Sequence, residues 1–163
     1  MKNECKVKIY NDGRIRTFFP HDWKVWEDKD RNIFYQDPNN SDMWCFIQLG
    51  ALAPTAKSGP LPSARGFLEY CYRKELITKE AQVKDLSDRQ ALLEWVELTR
   101  HEGKKMLVYH FNVAFKNDDG CLQLAHFSAA IPEFLNSDPA SVQLQDLVKQ
   151  QSESVKFYEW GRS

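Results

Sequence analysis

"MLVYHFNVAFKNDDGCLQLAHFSAAIP", residues 106–132, decides the fold. Two runs rich in aromatic and β-branched residues flank a turn-forming "KNDDG", the pattern of a long hairpin. Asp118, Asp119 and Gly120 suit a three-residue loop with glycine in the left-handed position. That loop sets Asn117 across from Cys121. Counting back, Asn112 falls opposite His126, and His110 opposite Ser128. Side chains alternate along a strand, so Leu107, Tyr109, Phe111, Val113 and Phe115 share a face with Ala125, Phe127, Ala129 and Ile131. That face is core.

The opposite face is apolar at its ends and polar in its middle, where His110, Asn112, His126 and Ser128 meet. Any loop of odd length keeps the two histidines on one face. Two imidazoles, an amide and a hydroxyl can bind a polar ligand, hold a metal or relay a proton. They can equally satisfy one another or cap helix ends. Zinc takes a third protein ligand in catalytic sites and a fourth in structural ones, and the pattern supplies none. These four residues are therefore candidate ligand contacts, with no metal, cofactor or catalytic residue assigned. The familiar nucleophile, phosphate-loop, dinucleotide and zinc-protease motifs are missing, so the chain is expected not to be an enzyme.

Outward from the hairpin, the residues from Ala81 to His101 extend it into an antiparallel meander with a turn at "HEGKK". At the other end of the chain, "CKVKIYNDGRIRTFFP" reads as a hairpin, with Ile15, Thr17 and Phe19 at period two and Pro20 as its stop. "WKVWE" and "IFYQ" are short strands, separated from "MWCFIQLG" by the turn "DPNNSD". The nearly continuous apolar character of "MWCFIQLG" suits a strand covered on both faces. If "RTFFP" and "WKVWE" follow each other in a sheet, Phe19, Trp23 and Val25 face the core while Phe18 and Trp26 lie on the other side. Five tryptophans exceed what such a core needs, and interfaces favour tryptophan and tyrosine. Phe18 and Trp26 are candidate partner contacts.

"GALAPTAKSGPLP" has three prolines, two glycines and no period, a long loop suited to mobility or function. Ser63 then caps a helix with Ala64, Phe67, Leu68 and Cys71 on one face. Asp138 caps the final helix, with Pro139 at its first position and Ala140, Leu144, Leu147, Val148 and Val155 as its apolar stripe.

Length and composition bound the rest. A chain of 163 residues fits one α+β domain over 1–163 and can bury roughly two-thirds of its unfolded surface. Its 22 basic and 23 acidic residues leave no global field for nucleic acid or an anionic membrane. The start "MKNECKVKIYNDGR" lacks the apolar core of a signal peptide, and no apolar run approaches the roughly 18 residues of a membrane span. The four cysteines show no metal-binding or redox spacing and are expected as free buried thiols. A cytoplasmic location follows as an expectation.

The order of elements carries a resemblance. A hairpin, the corner at Pro20, Asp22 and Trp23, the turn at Asp37 and Pro38, a strand, a helix, a long meander and a final helix resemble the fold group of the Ran-binding Mog-type import factor, the photosystem subunit PsbP and bacterial DcrB-like proteins. "FFPHDWKV" and "LAHFSAAIPEF" are similar to the corner and the strand ending often seen there. The resemblance spans about residues 13–157. It implies an antiparallel sheet of about six or seven strands with helices packed on its faces. It also implies a non-enzymatic accessory or chaperone-like domain that binds another protein, often as a dimer. No functional residue carries over, because the matched positions define the fold.

Overall fold

The computed structural model of the chain describes residues 5–10, 12–79 and 81–159. Its centre is a seven-stranded antiparallel sheet in the order β3-β4-β5-β9-β8-β7-β6, and beside it lies a three-stranded sheet ordered β1-β2-β10. The small sheet contains β1 (Cys5–Tyr10), β2 (Ile15–Pro20) and β10 (Lys156–Phe157); the large one contains β3 (Lys24–Glu27), β4 (Ile33–Gln36), β5 (Trp44–Leu52), β6 (Gln82–Asp85), β7 (Gln90–His101), β8 (Lys104–Lys116) and β9 (Leu122–Pro132). The helices are α1 (Ala64–Cys71), α2 (Arg73–Thr78) and α3 (Pro139–Ser154). The α+β antiparallel architecture read from the sequence is the one observed.

The β8–β9 register is also as counted: Asn112 pairs with His126 and His110 with Ser128. Asn117 N–H donates to the Cys121 carbonyl at 2.8 Å, and Gly120 takes φ +87°. The loop length alone fixed this, because each residue added would have flipped every side chain to the other face.

One face of the large sheet is sealed. Phe111, Val113, Phe127, Ala129 and Ile131 pack with Leu144 and Val148 of α3 and with Ile15, Phe19 and Phe157 of the small sheet. Asp138 Oδ1 accepts from Ala140 N–H at 3.0 Å, so the cap of α3 is in place. The buried stripe of α3 is more polar than its aliphatic residues suggest, since Ser141, Gln151 and Ser152 are buried too. Tyr35 reaches Gln151 Oε1 at 2.6 Å, and Gln151 Nε2 donates to the Phe18 carbonyl at 2.7 Å. This tie joins helix, large sheet and small sheet.

The other face is covered only in part. Helix α1, capped by Ser63 Oγ accepting from Gly66 N–H at 3.0 Å, lays Ala64 and Leu68 over Ala91, Leu93 and Ala114. The structure corrects four expectations. Of the four cysteines only Cys45 is buried, and Cys71 is exposed rather than on the buried side of α1, because the helix meets the sheet through a narrower stripe. The strand β5 continues through Gly50, Ala51 and Leu52, which pair with Leu124, Gln123 and Leu122, so the proline-rich loop begins only at residue 53. Long partner strands supply the ladder bonds that local composition did not advertise. Strand β5 is sealed on one face only: Cys45 and Ile47 are buried, whereas Trp44 and Phe46 are half-buried and Gln48 is exposed. Finally, Phe18 and Trp26 do not share a side, because β2 and β3 belong to different sheets.

Candidate functional site

Beside α1, the second face carries the polar cluster that the sequence placed there, with Asn112 and Ser128 buried and the two histidines partly buried. Following the registers across the sheet, Trp26 pairs with Phe34, Phe34 with Phe46, Phe46 with Ser128, Ser128 with His110 and His110 with Trp95. One transverse row thus crosses six strands. Its rings are continuous: Trp26 stacks on Phe34 at 5.8 Å, Phe34 meets Phe46 at 6.2 Å, and Phe46 meets His126 at 6.4 Å. His126 meets His110 at 5.0 Å, His110 lies 4.8 Å from Trp95, and Trp95 lies 5.0 Å from Tyr72 beside α1. Lys24 Nζ sits 5.1 Å over the Trp26 ring at the sheet edge, a cation–π contact. Trp26 is 38% exposed, and Phe34, Phe46, Trp95 and both histidines are half-buried. Residues chosen from the sequence for separate roles, Trp26 and the histidine cluster, therefore share one surface.

The centre of the row is polar and tightly made. His110 Nδ1 and His126 Nε2 are 2.8 Å apart. Ser128 Oγ lies 3.3 Å from the first and 3.2 Å from the second. On its far side, His110 Nε2 is 3.3 Å from Glu97 Oε1, close enough for ion pairing but off the line of a hydrogen bond. A carboxylate there favours the tautomer of His110 that carries its proton on Nε2. His110 Nδ1 then accepts, and His126 Nε2–H donates. Burial lowers the pKa of His110 against the raising effect of Glu97 and Glu75. Burial, with His110 second, pulls His126 down to about 4. Both rings are neutral at neutral pH.

Asn112 completes the cluster from the α1 side: its Oδ1 accepts from Tyr72 O–H at 2.9 Å, while its buried Nδ2 has no hydrogen-bond partner among the described residues. A cavity of about 190 Å³ opens here, lined by Gln48, Phe67, Tyr72, Asn112, Leu124 and His126 among others. Ser128 is fully buried beneath the rings, which keeps its hydroxyl from any substrate carbonyl. Among the described residues no three His, Cys, Asp or Glu side chains gather as metal ligands.

Phe18 stands elsewhere. On the outer face of the small sheet it pairs across from Val7, and Val7 and Ile9 are 59% and 54% exposed. Val7 and Ile9, which alternate with the lysines of β1, thus join Phe18 in a second apolar patch. The aromatic row was hidden in the sequence because it needs five strand registers at once, although the two-residue Glu102-Gly103 turn already implies that Trp95 stands opposite His110.

No protein-family model and no curated protein sequence matches the chain. Solved structures do. A Bacteroides thetaiotaomicron protein superposes over 96% of this chain with a TM-score of 0.60 at 14% identity, and the chain spans 50% of that protein's length. The Ran-binding protein Mog1p of Saccharomyces cerevisiae superposes with a TM-score of 0.51 at 10% identity, over 96% of each chain. The chain has the Mog1-like fold. LpqN of Mycobacterium tuberculosis, described as involved in cell envelope biogenesis, shares it with a TM-score of 0.55 at 15% identity, covering 96% of this chain and 91% of its own. At these identities the likeness is one of fold. No helix among the described residues is long and apolar enough to cross a membrane.

Proposed function

We propose that the chain is a non-enzymatic protein-binding accessory domain, chaperone-like in that it offers an apolar sheet face to its partner. The observation that carries this reading is the ring row that runs from the exposed Trp26 at the sheet edge, through half-buried Phe34 and Phe46, to Trp95, where it meets the cluster under α1. Such a face loses hydrophobic free energy in water and regains it when covered, at about 25 cal/mol per Å² of apolar area. Tryptophan and tyrosine are the side chains that most often anchor interfaces. The likeness to a Ran-binding protein supports protein binding as the class of function, without naming the partner. The outer patch around Phe18 is a second contact area of the same kind, and the cytoplasm is the location we assign.

Affinity capture from native lysate tests this reading with three baits: wild type, Trp26→Ala/Trp44→Ala and Phe18→Ala, each checked for fold by circular dichroism. A protein retained by wild type and lost with the tryptophan pair supports the aromatic face. Loss with Phe18→Ala instead moves the interface to the small sheet. Retention of the same proteins by all three, or of none, overturns the reading. Sedimentation of the purified chain distinguishes a homodimer from a different partner.

A further inference from the structure

We propose that His110, His126 and Ser128 form a binding site for one divalent transition-metal ion of the zinc–copper class, set in the middle of the aromatic row. This goes beyond protein binding and does not depend on it. In the donor triangle, His110 Nδ1, His126 Nε2 and Ser128 Oγ stand 2.8, 3.2 and 3.3 Å from one another. A tetrahedral ion with bonds of about 2.0 to 2.1 Å wants its donors about 3.3 Å apart. Two edges of the triangle already meet that spacing; on the third, the rings must part by about half an ångström and turn so that both nitrogen lone pairs converge on the ion.

Imidazole nitrogen is the donor common to zinc, copper and nickel sites, and it is poorly suited to magnesium or calcium. No third His, Cys, Asp or Glu joins the two imidazoles among the described residues, so the Ser128 hydroxyl is a weak third donor and the further coordination positions fall to water or to an incoming side chain.

The surroundings are those of a ligand set. A metal-bound histidine usually hands its other N–H to a carboxylate, which fixes the ring and strengthens the donor. His110 would ligate through Nδ1, and its Nε2 already lies 3.3 Å from Glu97 Oε1. That nitrogen has no hydrogen-bond partner in correct line, and a small swing of a half-exposed carboxylate supplies one. The rings are held in orientation from both sides, His110 by stacking on Trp95 at 22° between planes and His126 by Phe46. The cavity of about 190 Å³ beside His126 gives water and ion a way in. Metal binding would replace the hydrogen bond between the two rings, moving the shared proton to the outer nitrogen of its ring, so no proton need leave the neutral pair.

The experiment is calorimetric titration of Zn²⁺ into chelator-treated full-length protein, followed by long-range ¹H–¹⁵N spectra of the histidine rings. Saturation at one equivalent is expected, with the resonances of His110 Nδ1 and His126 Nε2 moving to metal-bound positions. His126→Gln abolishes that equivalent, and Glu97→Gln weakens it about 10- to 100-fold. His21→Ala/His101→Ala leaves it unchanged. Cu²⁺ is expected to quench the fluorescence of Trp95 in wild type and not in His126→Gln. Should a variant fail to fold, the ring spectra of wild type decide alone. Zinc uptake that leaves both ring nitrogens unmoved, that survives His126→Gln, or that does not occur overturns the proposal.

Discussion

Trp95 lies nearly flat on His110, with ring centroids 4.8 Å apart and planes 22° off parallel. The two residues are direct cross-strand partners on β7 and β8, so the stack is set by register and not by a loop. It lies toward the far end of a row of side chains that begins with Trp26 on the edge strand β3. A row of this kind contributes less to the core than the other face does, where Phe19, Tyr35 and Phe127 are fully buried.

That division has a measurable consequence. Trp26 is 38% exposed and Phe127 is fully buried. Trp26→Ser is expected to cost about 1 to 2 kcal/mol, from one aromatic stacking contact and the partial burial of the indole. Phe127→Ala removes a ring from the sealed face and is expected to cost about 3 to 5 kcal/mol. Urea denaturation of both variants checks this. Similar losses would mean that the aromatic row is part of the fold's support and not a free surface.

The polar tie within the core makes a second expectation. Tyr35 is fully buried and donates to Gln151 Oε1, while Gln151 Nε2 donates to the Phe18 carbonyl. Gln151→Leu strands two partners at once, a hydroxyl and a carbonyl, each costing about 1 to 3 kcal/mol when left unpaired. Tyr35→Phe strands only one acceptor, so it is expected to be milder. In the double variant the losses fall short of their sum, because the shared bond is removed once. Additive losses in a double-mutant cycle would show that the two side chains do not act through each other.

Two glycines separate backbone need from packing need. Gly120 takes φ +87°, and a Cβ there would meet only Pro54 Cγ at 3.8 Å. Gly120→Ala is thus expected to cost about 1 to 2 kcal/mol through the left-handed backbone alone. Gly50 has an ordinary strand conformation, and its added Cβ would sit 3.7 Å from Leu124 Cδ1, a normal contact. Gly50→Ala is expected to be neutral or to gain up to about 1 kcal/mol by restricting the unfolded chain. Thermal melts of the pair distinguish the two.

The same contrast explains what the sequence made legible. Caps at Ser63 and Asp138, the loop at Gly120 and the β8–β9 register all follow from interactions within a few residues or across one short loop. The gap between Phe18 and Trp26 does not, because it depends on the chain leaving one sheet at Pro20 and entering another at Lys24. Strand β10 is two residues long, too short to leave a period, yet it completes the small sheet. Helix α2 carries no buried residue, so it wrote no apolar stripe to read. At the site, the hairpin count brought His110, Asn112, His126 and Ser128 to one face. Glu97 and the flanking rings entered only through the registers of β7 and β5 with that hairpin. The apolar run of β5 misled for a physical reason: aromatic side chains on a half-open face look, in sequence, like side chains under a second layer.

The neutral histidine pair should make the metal-free protein sensitive to mild acid. Burial depresses both pKa values, His126 to about 4 from an ordinary 6.5. The charged groups that act on the pair are Glu97 on β7 and Glu75 on α2, and they oppose the depression at His110 without cancelling it. A base with a lower pKa folded than unfolded binds fewer protons in the native state, so stability rises with pH across the interval between the two values. The contribution is complete above pH 6.5 and drains as pH falls toward 4. Each tenfold weakening of proton binding is worth about 1.4 kcal/mol, so the loss from His126 is on the order of 3 kcal/mol. Urea midpoints in chelator-containing buffer between pH 7.5 and 4.5 measure it. His126→Gln, which keeps a polar group of similar reach but cannot titrate, is expected to flatten the profile. A wild-type midpoint that does not move over this range would show that the pair is solvated and charged as in water, and that the rings of Trp95 and Phe46 do not shield it.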